Sequence, residues 1–317
     1  MDDLQGLPSV VIAIPTFRRP GRLTELLEGL PRRIAEAEAL AACRVLVVDN
    51  DPEGSAEAAA RTAGAAAALA LTYVREDTPG IAAARSRALA ESATDDLLAF
   101  IDDDEVPREG WLSALLETHA DTGASSVMGR VVTRFPDDVD PWVLAGGYFQ
   151  RPSRETGTRL PIAATGNLLL DLRVVRRLGL DFDDRLGLAG GEDSVFTREL
   201  VRRGGTIVWC QESVAVDHIE PDRLTRDALL RRAFAHGNVE ARIRLAEVDG
   251  AVRRARWGVR SRVFLRGLAR VVLGSARTAA GRVTRNLTHD ARGRRTLHRG
   301  AGMLSAARGT TFEEYRR

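Results

Sequence analysis

Three consecutive carboxylates, Asp102-Asp103-Asp104, follow the apolar run Leu97-Leu98-Ala99-Phe100-Ile101. The run reads as a short buried strand, and a strand end is a stiff platform for side chains. Adjacent anions repel one another unless a cation offsets them. Oxygen donors of this kind suit Mn²⁺ or Mg²⁺, above all where the metal also holds phosphate. A solvated acidic turn has the same composition, so the company elsewhere in the chain decides. Gly190-Gly191-Glu192-Asp193 sets two more acids at the start of a predicted helix. Capping accounts for acids there; a general base on a rigid helix behind a glycine hinge is the other reading. His218 follows a predicted strand end and becomes a metal candidate only if the fold carries it to Asp104. His119, His236, His289 and His298 show no ligand spacing. Arg85 stands near a predicted helix start, where it faces phosphate or base, or else is an ordinary surface arginine.

The elements that must position these groups are legible as alternating strands and helices. Val10–Ile14 reads as a buried strand closed by Pro15, followed by a helix over about Arg22–Glu38 that Pro31 interrupts. Arg44–Val48 predicts a second strand ending in Asp49-Asn50-Asp51, residues 56–70 a helix, and Leu71–Val74 a third strand. Pro79-Gly80 opens a helix from Ile81 to about Ser92, and the fourth strand delivers the triple Asp. Continuous apolar strands between helices imply parallel pairing in a doubly wound α/β sheet. Ligands of such sheets bind outside the carboxyl ends of the strands, where Thr16, Asp49, Asp51, Asp102 and Asp104 cluster.

Beyond residue 123 the pattern is less regular. Val127–Thr133 suggests a strand, and Phe135–Pro161 reads as a long loop rich in Pro, Gly and Asp, the kind that serves binding. Regularity returns at Ile162–Leu170, then a helix near Leu172–Leu178, a helix from Glu192 to about Arg203, and short strands at Thr206–Trp209 and Val214–Val216. No Gly-x-Gly-x-x-Gly turn follows the first strand, which argues against a dinucleotide dehydrogenase.

Composition narrows the chemistry further. The 317 residues are 44% hydrophobic and 28% charged, a globular balance, and all 46 basic residues are arginine. A chain without lysine forms no Schiff base and no Walker-type phosphate loop, while arginine suits fixed-geometry phosphate contacts. Cys43 and Cys210 fit neither a zinc pattern nor a disulfide framework, so a cytoplasmic protein with reduced thiols is expected. Neither a spanning segment nor a secretion signal is legible.

The order of the motifs is what carries a family. Ile14-Pro15-Thr16, Val47-Val48-Asp49-Asn50-Asp51, Gly80…Arg85, Ile101-Asp102-Asp103-Asp104, Thr165-Gly166-Asn167 and Gly191-Glu192-Asp193 together resemble glycosyltransferase family 2, over roughly residues 9–220. The resemblance implies a GT-A fold: a doubly wound, mostly parallel sheet flanked by helices, here with a basic helical C-terminal extension. It implies a nucleotide-diphosphate sugar as donor, UDP-linked ahead of GDP or dTDP, and a divalent cation, Mn²⁺ or Mg²⁺. By the same resemblance Thr16, following Pro15, and Asp49 line the nucleobase pocket, and Arg85 holds the nucleotide. Asp102 and Asp103 belong with the nucleotide sugar, Asp104 ligates the metal, and His218 completes that site. Asn167 falls near the donor sugar or acceptor, and Asp193, beside Glu192, is the catalytic base of an inverting displacement. A departure is Asp49-Asn50-Asp51, where many relatives carry Asp-Asp-x-Ser. The expected division is a nucleotide-sugar-binding half over 1–123, an acceptor-binding and catalytic half over 124–223, and the extension over 224–317.

The extension is strongly basic. Residues 251–317 hold 17 arginines and three acids (Asp290, Glu313, Glu314), net +14, which leaves −12 for residues 1–250 in a chain of +2. Val252, Trp257, Val259, Val263, Phe264, Leu268, Val271 and Val272 recur among the arginines at roughly helical spacing. Packing against the body or a second subunit comes first among the readings, and contact with an anionic membrane surface second. Nucleic-acid binding comes last, because stacking aromatics are sparse and no recognised module is present. The acceptor stays open between a saccharide, a lipid-linked glycan and a small natural product. Rival activities are a sugar nucleotidyltransferase, which the missing lysine and glycine-rich loop disfavour, and a non-catalytic nucleotide-sugar binder.

Overall fold

Val10 to Ile14 alternate between the two faces of strand β1 (Ser9–Thr16), and both faces are apolar because both are covered. A computed structural model describes residues 6–312 apart from 152, 184–185, 187–189, 247 and 249–252. These form two compact units, Met1–Arg134 with Arg151–Gly187 and Glu192–His218, and Phe135–Gln150 with Leu188–Gly191 and Ile219–Arg317.

In the first unit β1 is flanked by β2 (Ala42–Asp49) and β4 (Leu97–Ile101), with β3 (Leu71–Arg75) beyond β2, all parallel. The sheet continues through β8 (Asn167–Asp171), β6 (Ser126–Arg134), β9 (Ile207–His218) and β5 (Glu105–Pro107), while β7 (Arg159–Leu160) also pairs with β9. Val10, Ile12 and Ile14 pack with α1 (Pro20–Ala35), α2 (Glu57–Ala66) and α4 (Trp111–Thr122). Val11 and Ala13 face α3 (Ile81–Glu91), α6 (Leu172–Leu178) and α7 (Glu192–Arg202). The order 3-2-1-4 reverses direction at β1, so the ends of β1 and β4 open a crevice at a topological switch point.

Several predicted boundaries move. β1 runs through Pro15, because its pairing with β4 stops at Ala13 and no ladder bond there needs the missing N–H. α1 runs through Pro31, since the buried stripe of Leu23, Leu26, Leu27 and Leu30 outweighs one lost backbone bond. The two short strands expected at 206–216 are one strand, β9, whose register against β6 shifts at Gly129/Arg130. The polar trio Gln211-Glu212-Ser213 that reads as a break is the bulge itself. The stretch read as loop contains α5 (Pro141–Gly146), started by Asp140 accepting from the Trp142 N–H at 2.8 Å, and the short β7.

The second unit contains α5 and three long helices, α8 (Arg226–Ala246), α9 (Arg253–Val283) and α10 (Leu287–Ala307). α9 and α10 form a hairpin whose seam is glycine, not leucine. A Cβ at Gly274 would lie 2.5 Å from the Leu297 nitrogen, and one at Gly281 would lie 2.3 Å from the Asp290 nitrogen. Backbones this close tolerate no side chain between them. Glu240 of α8 ties the three helices, accepting from Arg270 at 2.9 Å and Arg299 at 2.9 Å.

Candidate active site

Each parallel strand ends in a polar group that a neighbouring segment holds. Thr16, at the end of β1, donates to Asp103 Oδ2 at 2.8 Å. Asp49, at the end of β2, is fully buried and accepts from the Asp51 N–H (3.0 Å), the Ala56 N–H (2.9 Å) and the Tyr73 hydroxyl (2.9 Å). Its carboxylate therefore fixes the turn into α2. Asn50 donates to the carbonyls of Glu76 (2.9 Å) and Thr78 (2.7 Å) and accepts from the Gly80 N–H (2.8 Å). Gly80, at φ 122°, is the residue from which α3 starts. The departure Asp49-Asn50-Asp51 thus has a structural use, since Asn50 anchors the helix that carries Arg85.

The acids after β4 form a dense cluster. Asp102 stands over Gly166, because Ile101 pairs with Asn167 and the next residues along the two chains face one another. A Cβ on Gly166 would lie 3.0 Å from Asp102 Oδ2 and 2.8 Å from Glu105 Oε1. Asp103 is buried, and desolvation pushes its carboxyl up to about 6 against the pull of Arg19 and Thr16. Arg19 bridges Asp103 (3.1 Å) and Asp104 (3.0 Å). Desolvation also raises Asp102, which Arg85 and Arg151 pull down and Asp104 and Asp217 push up again.

Glu105 and Arg151 are members of this cluster that the motif pattern missed. β5 pairs Glu105 with Asp217 of β9, and Arg151 reaches Asp217 at 3.1 Å. Glu105 is 2% exposed, its Oε2 has no hydrogen-bond partner, and desolvation with the nearby Asp102 raises its carboxyl well above the usual range. Such a group costs folding free energy whenever it is charged. Glu105→Gln is expected to stabilise the ligand-free protein by about 1–2 kcal/mol near neutral pH. The sign follows from linkage: a carboxyl with a raised folded pKa weakens folding above that pKa, and the penalty fades as pH falls toward the ordinary carboxylate range. Thermal melts of the two proteins across pH would check this, and equal melting temperatures at neutral pH would refute it.

Arg85 joins the two acidic motifs. Its guanidinium, buried on α3, donates to Glu192 and lies 3.4 Å from Asp102 Oδ1. Burial pushes the Glu192 carboxyl up to about 7, with Arg85 opposing and Asp193 adding to the rise. Asp193 follows in the first turn of α7, partly exposed, with Oδ1 accepting from the Ser194 N–H. The helix start is pinned by Thr197, which is fully buried, donates to the Asp193 carbonyl (2.8 Å) and accepts from the Ala163 N–H (3.1 Å). Ala163 leads into Thr165-Gly166, the segment lying on Asp102. The hydroxyl of Thr165 is buried there without a partner.

His218 ends β9, and its N–H donates to the Asp104 carbonyl at 3.3 Å. The fold therefore brings His218 to Asp104 along the backbone. Among the described residues no three His, Cys, Asp or Glu side chains stand ready as a metal cage. The donor set nevertheless fits a divalent cation held by few protein ligands. Carboxylates crowd the strand end, a guanidinium already offsets two of them, and Glu105 Oε2 lacks a partner.

Asn167 pairs with Ile101 at the end of β4, and its side chain is buried there. It is 1% exposed, accepts from the Trp111 indole at 2.9 Å and donates to the carbonyls of Arg130 and Ser213, both at 3.2 Å. Gly129 leaves the room for it. Its amide thus stitches β8 to β6, to the β9 bulge and to α4. Asn167→Ala is expected to cost about 3 kcal/mol by leaving those groups unpaired. Donor affinity of the folded fraction should hold, as calorimetry beside thermal melts would show. A stable variant with weakened donor binding would instead put the amide on the ligand.

The glycosyl transferase family 2 model matches residues 11–179. Over 249 residues the chain is 32% identical to the succinoglycan biosynthesis protein ExoM of Rhizobium meliloti, covering 78% of each. The mannosyltransferase PcManGT from Pyrobaculum calidifontis, in complex with GDP-Man and Mn²⁺, superposes with a TM-score of 0.61 at 18% identity, over 96% of this chain and 87% of its own. S. aureus TarS 1-349 in complex with UDP superposes at 0.53 with 15% identity, over 95% and 92%. At those identities the two structures speak for the fold, which is GT-A. The family match spans more than half of the sequence, and the relative exceeds 30% identity over most of both chains: the chain belongs to glycosyltransferase family 2.

Proposed function

We propose that the chain transfers a sugar, with inversion, from a UDP-linked donor to an acceptor hydroxyl. The observation that carries this reading is the Arg85 grip, through which Asp102 at the end of β4 and Glu192 at the start of α7 share one guanidinium. A base carried on α7 would then work at the crevice where β1 and β4 open. In this reading Thr16 and Asp49, with Pro15 of β1, shape the nucleobase pocket. Asp102, Asp103 and Arg85 orient the diphosphate, and Asn167 sets the position of Thr165-Gly166 beneath the sugar. Asp104, with His218 from the end of β9, would hold Mn²⁺ or Mg²⁺, which when bound offsets the charge gathering on the leaving diphosphate.

Asp193 accepts the proton of the acceptor hydroxyl as its oxygen bonds to the anomeric carbon. The bond from that carbon to the diphosphate oxygen breaks, the nucleoside diphosphate departs, and one displacement inverts the configuration. Glu192 stays paired with Arg85 and holds the helix start in place. We assign donor chemistry to residues 1–123 and acceptor choice to residues 124–223.

Thermal-shift screening of UDP-, GDP- and dTDP-sugars, each with and without Mn²⁺ or Mg²⁺, tests the donor class. Metal-dependent stabilisation by a UDP-sugar, followed by nucleoside diphosphate release once an acceptor is supplied, is the expected result. Preference for GDP-mannose would move the donor assignment to GDP. Release of pyrophosphate would replace transfer by nucleotidyl chemistry.

A further inference from the structure

We propose that the outward face of α9 lies in the headgroup layer of an anionic bilayer, making the chain a peripheral membrane protein. α9 spends its small residues inward: Val263, Gly267, Gly274, Thr278 and Gly281 are buried in the hairpin with α10. The opposite face carries the large apolar side chains. Trp257, Leu265, Val272 and Leu273 are 59–66% exposed, and Phe264 and Leu268 are exposed beside them. An isolated exposed leucine is ordinary, but six large apolar residues along one helix face are not. From Trp257 to Leu273 the stripe runs about 24 Å at the α-helical rise. Val252, read from sequence as part of this stripe, lies outside the described residues.

Charge decides what covers that face. α9 contains nine arginines and no acidic residue, and Arg262 and Arg266, both exposed, lie along one edge of the apolar arc on either side of Leu273. Apolar and aromatic side chains bordered by arginine are the composition of a helix lying in a membrane interface. Arginines along that edge reach anionic headgroups while the arc enters the acyl boundary. A second copy docked through the same face would bring two acid-free helices of nine arginines together, and their repulsion opposes that pairing. No helix among the described residues is long and apolar enough to cross a membrane. The inference does not depend on the transfer chemistry.

The chain supplies its own reporter. Trp111, Trp142 and Trp209 are at most 2% exposed, so Trp257 is the exposed one of four tryptophans. The full-length protein is mixed with phosphatidylcholine vesicles, with and without phosphatidylglycerol. Tryptophan emission and flotation are then measured for wild type, for Leu265→Ser/Leu268→Ser/Val272→Ser and for Arg262→Glu/Arg266→Glu. Wild type is expected to float with the anionic vesicles and to shift its emission to the blue. Each variant should lose at least about tenfold in partitioning, and added salt should weaken wild-type binding. Failure of wild type to float, or an unshifted emission on anionic vesicles, overturns the proposal whether or not the variants fold. A solution dimer that the triple-serine variant dissolves would overturn it too, by giving the face to a second copy.

Discussion

Asp193→Asn is expected to reduce transfer by roughly 10³-fold while leaving donor affinity within about twofold of wild type. Asparagine keeps the shape and keeps an oxygen able to accept from the Ser194 N–H, so the first turn of α7 should start as before. What it removes is the capacity to take a proton. Donor affinity is read by calorimetry and turnover by nucleoside diphosphate release, so the two effects separate. Glu192→Gln provides the contrast. Glu192 is buried against Arg85, and its neutral variant leaves that guanidinium with a weakened partner. Loss there should fall on stability and donor binding together. If Asp193→Asn turned over at the wild-type rate while Glu192→Gln lost turnover alone, the two acids would exchange roles.

The half of the fold that builds the crevice was legible because β1, β2 and β4 are apolar on both faces and the helices between them are amphipathic or alanine-rich. A strand of that kind announces its own end, and the ends hold Thr16, Asp49 and Asp102. Glu105 was not legible in the same way. It follows three acids and reads as one more, and only the long-range register of β5 on β9 sets it against Asp217. Arg151 sits in a stretch read as loop and enters the cluster through the same strand. Asn167 stands in a recognisable motif, yet its side chain turns inward because Gly129 and the β9 bulge make room for it. Motif order locates a backbone position without giving the direction of a side chain.

The C-terminal helices teach the complementary lesson. Of the apolar residues over 252–272, Val263 is buried with Val259 packed beside it, while Trp257, Phe264, Leu268 and Val272 are exposed. The seam that packs is Gly267, Gly274 and Gly281, spaced by seven and answered by Gly293 and Gly300 on α10. Glycine carries little hydropathy signal, so apolar periodicity does not mark this seam. Close backbone approach supplies the packing there, with dispersion over a long tight seam replacing side-chain burial.

Asp104→Ala is expected to weaken donor binding about 10- to 100-fold in the presence of Mn²⁺ and to change it little without metal. Arg19 bridges Asp103 and Asp104. Asp103 is also held by Thr16, whereas Asp104 has its backbone fixed by the His218 N–H and its carboxylate, 12% exposed, held by Arg19. Removing the Asp103 carboxylate would therefore disturb the folded strand end. Removing that of Asp104 should mainly subtract a cation ligand, and relieving one of several crowded acids should leave the ligand-free melting temperature equal or higher. Donor titrations at a series of Mn²⁺ concentrations read the coupling between metal and nucleotide sugar directly. An Asp104→Ala protein whose donor affinity still rose with Mn²⁺ as in wild type would move the metal to other acids of the cluster. Glu105 and Asp217 would be the first to examine, because Glu105 Oε2 is buried without a partner and Asp217 is its neighbour across the β5–β9 pair.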